Sequence, residues 1–199
     1  MKNLFFIAAL LFSTTLLAQK AKVTKGDWEN LKGITEYNVV FDYSNLSIPK
    51  YDSEEEFLED KMAKRDEKEP GTGKKFKESW FSDREEYYEP RFIETFNDRY
   101  KDGAVKVEKD SGAEYTMKVH TTMIYPGYNI GLVRHNSKLE VTLSVYKTGE
   151  PENVIFSADY TKIEGQGNGG YDFNSGQRIA DAYIIFARAL TKHMYKNNK

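Results

Sequence analysis

The stretch Tyr115-Thr116-Met117-Lys118-Val119-His120-Thr121-Thr122-Met123 sets a core-facing series at every second position against a polar one. Lys138-Leu139-Glu140-Val141-Thr142-Leu143-Ser144-Val145 does the same. A sustained period of two puts one series on a core and the other toward solvent, so both segments predict half-buried strands with Tyr115, Met117, Val119, Thr121 and Met123 on the inner face of the first. A third apolar run, residues 154–161, follows the turn-rich Thr148-Gly149-Glu150-Pro151, which makes it the hairpin partner of the second.

Toward the N-terminus, residues 34–43 place Tyr37, Val39 and Phe41 on one strand face, rich in β-branched and aromatic side chains. Asp52-Ser53-Glu54-Glu55-Glu56 then offers a capping serine with glutamate three residues on, and acids crowd the first turn. The helix it starts ends before Pro70-Gly71, and only Phe57, Leu58, Met62 and Ala63 suit a core. A second helical stretch from about Lys74 carries Phe76, Trp80, Tyr87 and Tyr88. Pro90 predicts a restart, after which Phe92, Phe96 and Tyr100 recur every four residues until Asp102-Gly103. This aromatic stripe reads as a helix face packed on a sheet rather than a ligand platform.

At the other end, Asn174 caps a helix whose apolar face is Ile179, Ala182, Tyr183, Phe186, Ala187 and Leu190, with a basic tail of Arg188, Lys192 and Lys196. The order strand, helices, three strands, helix predicts an α+β fold: a mostly antiparallel sheet of four or more strands with helices packed on one face. No internal repeat or long linker divides it, so residues 19–199 are expected to form a single domain.

Residues 1–18 read differently. Lys2 precedes an apolar run from Leu4 to Phe12, then Ser13-Thr14-Thr15 and Leu16-Leu17-Ala18-Gln19, the order of a secretory signal peptide cut after Ala18. The run falls short of the about 20 apolar residues that span a bilayer, so no transmembrane anchor is expected and the protein is placed in the periplasm or outside the cell. The chain contains no cysteine, which excludes disulfides, a thiol nucleophile and a lipid on a cysteine after the cleavage site. With 29 basic and 31 acidic side chains among its 199 residues, it lacks the positive excess that nucleic-acid binding needs.

Several motifs fail on their context. Gly165-Gln166-Gly167-Asn168-Gly169-Gly170 satisfies G-x-G-x-x-G, but the helix begins only near Asn174 and no second parallel strand follows, so it reads as a connecting loop and no cofactor is nominated. Ser47-Ile48-Pro49-Lys50 with Lys147-Thr148-Gly149 imitates serine penicillin-binding enzymes, but Pro49 interrupts the helix that chemistry requires and Ser82-Asp83-Arg84 is a poor third element. His120, His135 and His193 fall on a strand, a loop and a terminal helix without metal-ligand spacing. His120 is expected on the polar strand face and His193 near a helix end, where a positive ring would favour the dipole.

The loop Tyr125-Pro126-Gly127-Tyr128-Asn129-Ile130-Gly131-Leu132-Val133-Arg134-His135 remains. Tyr125, Tyr128, Asn129, Arg134 and His135 combine stacking surfaces with hydrogen-bonding tips, a set suited to a peptide, a glycan or an envelope protein. Either the segment is a wide structural hairpin with Ile130, Leu132 and Val133 tucked under a helix, or Tyr128 and Arg134 project as contact residues.

The run from Tyr115 to Arg134, the pattern Arg178-Ile179-Ala180-Asp181-Ala182-Tyr183 and the leader's Leu17-Ala18-Gln19 resemble uncharacterised exported proteins of the Bacteroidetes. The resemblance implies a Gram-negative envelope address, most simply the periplasm, and carries no activity or site residues. Two functional readings follow: a non-catalytic binding or envelope-associated module, or a hydrolase whose carboxylates come from distant segments. Two converging carboxylates in a concave pocket, at least one of them desolvated, would favour the hydrolase.

Overall fold

The computed structural model describes residues 21–100, 103–130, 133–165 and 174–197. The expected leader and most of the glycine-rich segment lie outside those residues. The strands are Ala21–Lys25 (β1), Glu36–Asp42 (β2), Lys106–Glu108 (β3), Tyr115–Tyr125 (β4), Tyr128–Asn129 (β5), Arg134–His135 (β6), Lys138–Lys147 (β7) and Val154–Glu164 (β8). Six of them form one sheet in the order β1-β8-β7-β4-β2-β3, while β5 and β6 make a separate ribbon. β2 runs parallel to β3 and β4, and the other pairs in the sheet are antiparallel. This is the α+β class that the alternation predicts.

Alternation holds where the ladder is regular. Met117, Val119 and Thr121 on β4 are buried with Leu139, Val141, Leu143 and Val145 on β7, and Phe156, Ala158 and Tyr160 on β8 complete the inner face. A register shift between Thr121 and Met123 then turns the pattern over, so that Ile124 is buried and Met123 is only half-buried. The expectation that Met123 faces the core is corrected by this bulge, which inserts one residue into the period.

The helices Glu54–Asp66 (α1), Thr72–Asp83 (α2), Glu89–Arg99 (α3) and Ser175–Asn197 (α4) cover the apolar face. Ser53 caps α1 by accepting from the Glu56 amide at 3.1 Å, and the Glu56 carboxylate reaches back to the Asp52 amide at 2.6 Å. Phe57 and Leu58 are buried, whereas Ala63 is exposed. α2 does not stop and restart at Pro90. It continues through a π-helical turn, Arg84–Tyr88, into α3, and Pro90 lies in the first turn of α3, where its missing amide hydrogen is tolerated. The wider turn rolls Tyr88 inward, where its ring stacks on Tyr183 of α4 at 5.4 Å and 11°. Phe92 of α3 stacks on Phe186 of α4 at 5.3 Å, so the two helices share an aromatic seam.

His193 is not a charged partner of the α4 dipole. Its ring lies between Trp28 and Tyr160, its Nδ1 is 3.2 Å from the Tyr160 hydroxyl, and burial with Lys192 and Lys196 nearby lowers its pKa. Those neighbours favour the neutral ring.

Candidate functional site

The ladder between β4 and β7 ends at the pair Tyr125 and Lys138. Beyond it the chain leaves the sheet through Pro126 and Gly127, and Gly127 adopts φ +65°. A Cβ there would collide with the His135 carbonyl oxygen and the Asn136–Ser137 peptide, so the turn needs glycine both for its φ and for space. The segment then pairs with itself: Tyr128 opposes His135, Asn129 opposes Arg134, and the Ile130 amide donates to the Val133 carbonyl at 3.0 Å. The segment is therefore a short antiparallel β-ribbon, the hairpin alternative of the sequence reading.

Its base is fixed by α4. The buried Arg178 donates from Nε to the Pro126 carbonyl at 3.2 Å and from a terminal nitrogen to the Gly127 carbonyl at 3.5 Å. In return the Ser137 hydroxyl donates to the Arg178 carbonyl, and the Gly165 amide donates to the Ser137 carbonyl at 3.0 Å. Both feet of the ribbon are thus tied to the first turns of α4 and the end of β8.

Period-two alternation separates the ribbon's faces. Tyr128, Ile130, Val133 and His135 share one, and Asn129 and Arg134 share the other. The first face is outward: Tyr128, Ile130 and Val133 are 38, 71 and 45% exposed, and Tyr128 stacks on His135 at 4.6 Å. The second face is half-buried, with the Arg134 Nε enclosed. Tyr125 is also half-buried, at the end of β4. Of the two side chains expected to project, Tyr128 does so and Arg134 does not, because their positions fall on opposite faces. Ile130 and Val133 do not tuck under a helix either. They belong to the exposed surface, a role that follows from the pairing of Tyr128–Asn129 with Arg134–His135.

A second group of polar residues lies between α1, the π-helical turn and the sheet. Glu54 accepts from Trp80 Nε1 at 2.6 Å and pairs with Arg84, whose guanidinium covers the Tyr43 ring at 4.5 Å. The Tyr43 hydroxyl donates to Glu89 at 3.4 Å, and Glu89 pairs with Lys109. Burial drives the Tyr43 and Tyr183 hydroxyls far above the ordinary phenol range, and Tyr183 keeps a 2.6 Å bond to Thr121. These are satisfied, structural contacts.

Asp83 departs from that pattern. It is 5% exposed at the end of α2, and among the described residues nothing hydrogen-bonds its carboxylate. Its carboxylate presses against Gly176 in the first turn of α4, where a Cβ would overlap it. Desolvation, with Glu86 adding repulsion, pushes its pKa up to about 6. The sequence gives no sign of this, because Asp83 occupies a helical position among ordinary charged residues. A surface depression of about 420 Å³, lined by Asn97, Asp98, Tyr100, Gly103, Val105 and Lys106, contains neither Asp83 nor Glu86.

Among the described residues no helix is long and apolar enough to cross a membrane. No protein-family model matches the chain, and no curated protein matches it in sequence. Two solved structures resemble it in shape: the PelC dodecamer from Paraburkholderia phytofirmans and a point variant of that dodecamer. Each is 14% identical with a TM-score of 0.40, over 86% of this chain and 94% of that one.

Proposed function

We propose that this protein is an exported, non-catalytic binding module of the cell envelope, and that its contact element is the β5–β6 ribbon. The observation that carries the reading is the ribbon's outward face: Tyr128, Ile130 and Val133 stay in water on a segment whose base is bonded to α4 at several points. Exposed apolar clusters on a well-anchored element mark interaction sites, since solvating them stabilises nothing in the free protein. The signal-peptide pattern of residues 1–18 and the likeness to exported Bacteroidetes proteins support an envelope address, where a peptide, a glycan or an envelope protein would be the partner.

The test compares retention of envelope components on the immobilised protein and on a Tyr128→Ala, Ile130→Ala variant. Loss of retention at an unchanged melting temperature supports the reading. Full retention by the variant refutes it.

The hydrolase reading draws on Asp83, a desolvated carboxyl with Glu86 nearby. It is the weaker of the two because it rests on the electrostatics of a single desolvated carboxyl, whereas the binding reading rests on several exposed side chains of one anchored element. Discovery of a hydrolytic activity abolished by Asp83→Asn would reverse the order.

A further inference from the structure

The solvent side of α4 carries a different chemistry from the ribbon. Arg188, Lys192 and Lys196 recur at every fourth residue of its C-terminal half, and all three are exposed. At a rise of 1.5 Å per residue they stand about 6 Å apart along one stripe. Tyr195, 60% exposed, lies close to two turns beyond Arg188 and so on the same stripe.

The fold does not account for this row. Among the described residues no ion pair engages any of the three, whereas Lys64, Lys74 and Arg91 on the other helices are paired with Asp60, Glu78 and Glu94. The helix dipole explains Lys196 alone, because its effect is confined to the last turn and Arg188 and Lys192 lie further back. Like charges four residues apart destabilise a helix, so the row as a whole is unfavourable to the free protein.

Nor do neighbouring carboxylates neutralise it. Residues 182–199 contain no Asp or Glu. On the 3-10 turn Trp28–Leu31, which meets α4 at His193, Glu29 pairs with Lys32 and Asp27 accepts from the Glu29 amide. On α3, Glu94 is held by Arg91, and Asp98 lines the depression beside β3. The half-buried His193 feels the field that remains: after burial itself, Lys192 and Lys196 lower its pKa.

We propose that this stripe is a second contact surface, independent of the ribbon, and that it binds a linear polymer of sugar acids lying along α4. The sign of the partner follows from the unpaired cations. Its form follows from the row, since evenly spaced cations in line match carboxylates that repeat along a chain about once per sugar, and a tyrosine ring among them offers a face on which a sugar stacks. A bilayer is a poorer match, because Ile179, Tyr183, Phe186, Leu190 and Met194 are buried in the core and the stripe from Arg188 to Lys196 presents no aliphatic group to insert. A folded protein is a poorer match as well, because the stripe lacks an apolar centre and lysine is depleted from protein interfaces.

Surface plasmon resonance on immobilised polygalacturonate, neutral pullulan and poly-glutamate tests the assignment. Binding is expected on polygalacturonate and not on pullulan, and added salt should weaken it. Lys192→Gln, Lys196→Gln should weaken it roughly tenfold, through the loss of two exposed charge contacts. Lys75→Gln, Lys77→Gln removes the same charge from exposed positions on α2 and should change it little. Tyr195→Ala should weaken binding to polygalacturonate and leave any response to poly-glutamate unchanged.

No response on polygalacturonate, or equal losses in the two double variants, overturns the proposal. Equal binding to poly-glutamate, with Tyr195→Ala without effect on either polymer, also overturns it and assigns the stripe to an acidic polypeptide. The ribbon is tested separately, through Tyr128 and Ile130, so either surface can fail without the other.

Discussion

Asp83→Asn should make this protein more stable at neutral pH. The carboxyl is 5% exposed, lacks a hydrogen bond among the described residues and has its pKa moved from 3.8 to about 6. The folded state therefore holds this proton more tightly than the unfolded chain does. Below the unfolded pKa both states carry it and it has no effect. As pH rises from about 4 to about 6 the unfolded chain releases it first, so stability falls through that window and stays lower above it. At 1.36 kcal/mol per pH unit, the loss is about 3 kcal/mol. The start of α4 beside Gly176 works the other way, since a helix N-terminus favours an anion by about 0.3–1 kcal/mol. The net expectation is a gain of about 2 kcal/mol for the isosteric, uncharged Asn at pH 8, shrinking toward zero near pH 4. Urea titrations of both proteins across that range give the difference directly, and changes common to both cancel. An Asn variant less stable than the wild type at pH 8 would refute the reasoning: the carboxylate would then be held as an anion by α4, with burial the smaller effect.

Three more outcomes follow from the same end of the molecule and from its opposite end. Gly127→Ala should cost about 1–3 kcal/mol in chemical denaturation, because it combines a positive φ with a collision at the His135 carbonyl. Arg178→Met should cost about 2–4 kcal/mol by removing the donor from the Pro126 and Gly127 carbonyls, and amide exchange at Ile130 should accelerate. His193 has the opposite pH sign to Asp83: its folded pKa is lowered, so its contribution is present above about 6.5 and is lost as pH falls below that value. His193→Gln should flatten that acid-side decline in melting temperature, and an unchanged slope would assign the decline to other groups.

What the sequence made legible was whatever repeats. The long alternation of β4 and β7 and the apolar stripe of α4 each average over many residues, so one irregularity cannot hide them. The features it concealed are those in which one residue shifts a period. The bulge after Thr121 moved burial from Met123 to Ile124, and the π-helical turn before Glu89 turned a predicted break into a continuous helix. β1 and β3, with five and three residues, are too short to display a period at all. The β5–β6 ribbon is the same case in miniature. Each of its strands has two residues, and Gly127 and Gly131 around it read as loop chemistry. Tyr128 was recognisable as a polar aromatic, while Ile130 and Val133 looked like core.

Asp83 and the ribbon are connected through α4, and the connection has a physical consequence. Asp83 presses on Gly176, and Arg178, two residues further on, holds the Pro126 and Gly127 carbonyls. From Tyr183 onward α4 is held by the aromatic seam with Tyr88 and Phe92, the bond to Thr121 and the packing of His193. Its first turn lacks that seam and lies against the desolvated Asp83 carboxyl of α2 instead. Local opening begins where buried contacts are fewest and an electrostatic cost is present, so the first turn of α4 should exchange its amides before the rest of the helix. The ribbon depends on Arg178 for its footing and should exchange with it. Asp83→Asn removes the cost without touching the ribbon, so in that variant protection should rise at Arg178 and at Ile130 together. Protection that rises at Arg178 alone would mean that the ribbon is held by its own pairing and not by α4.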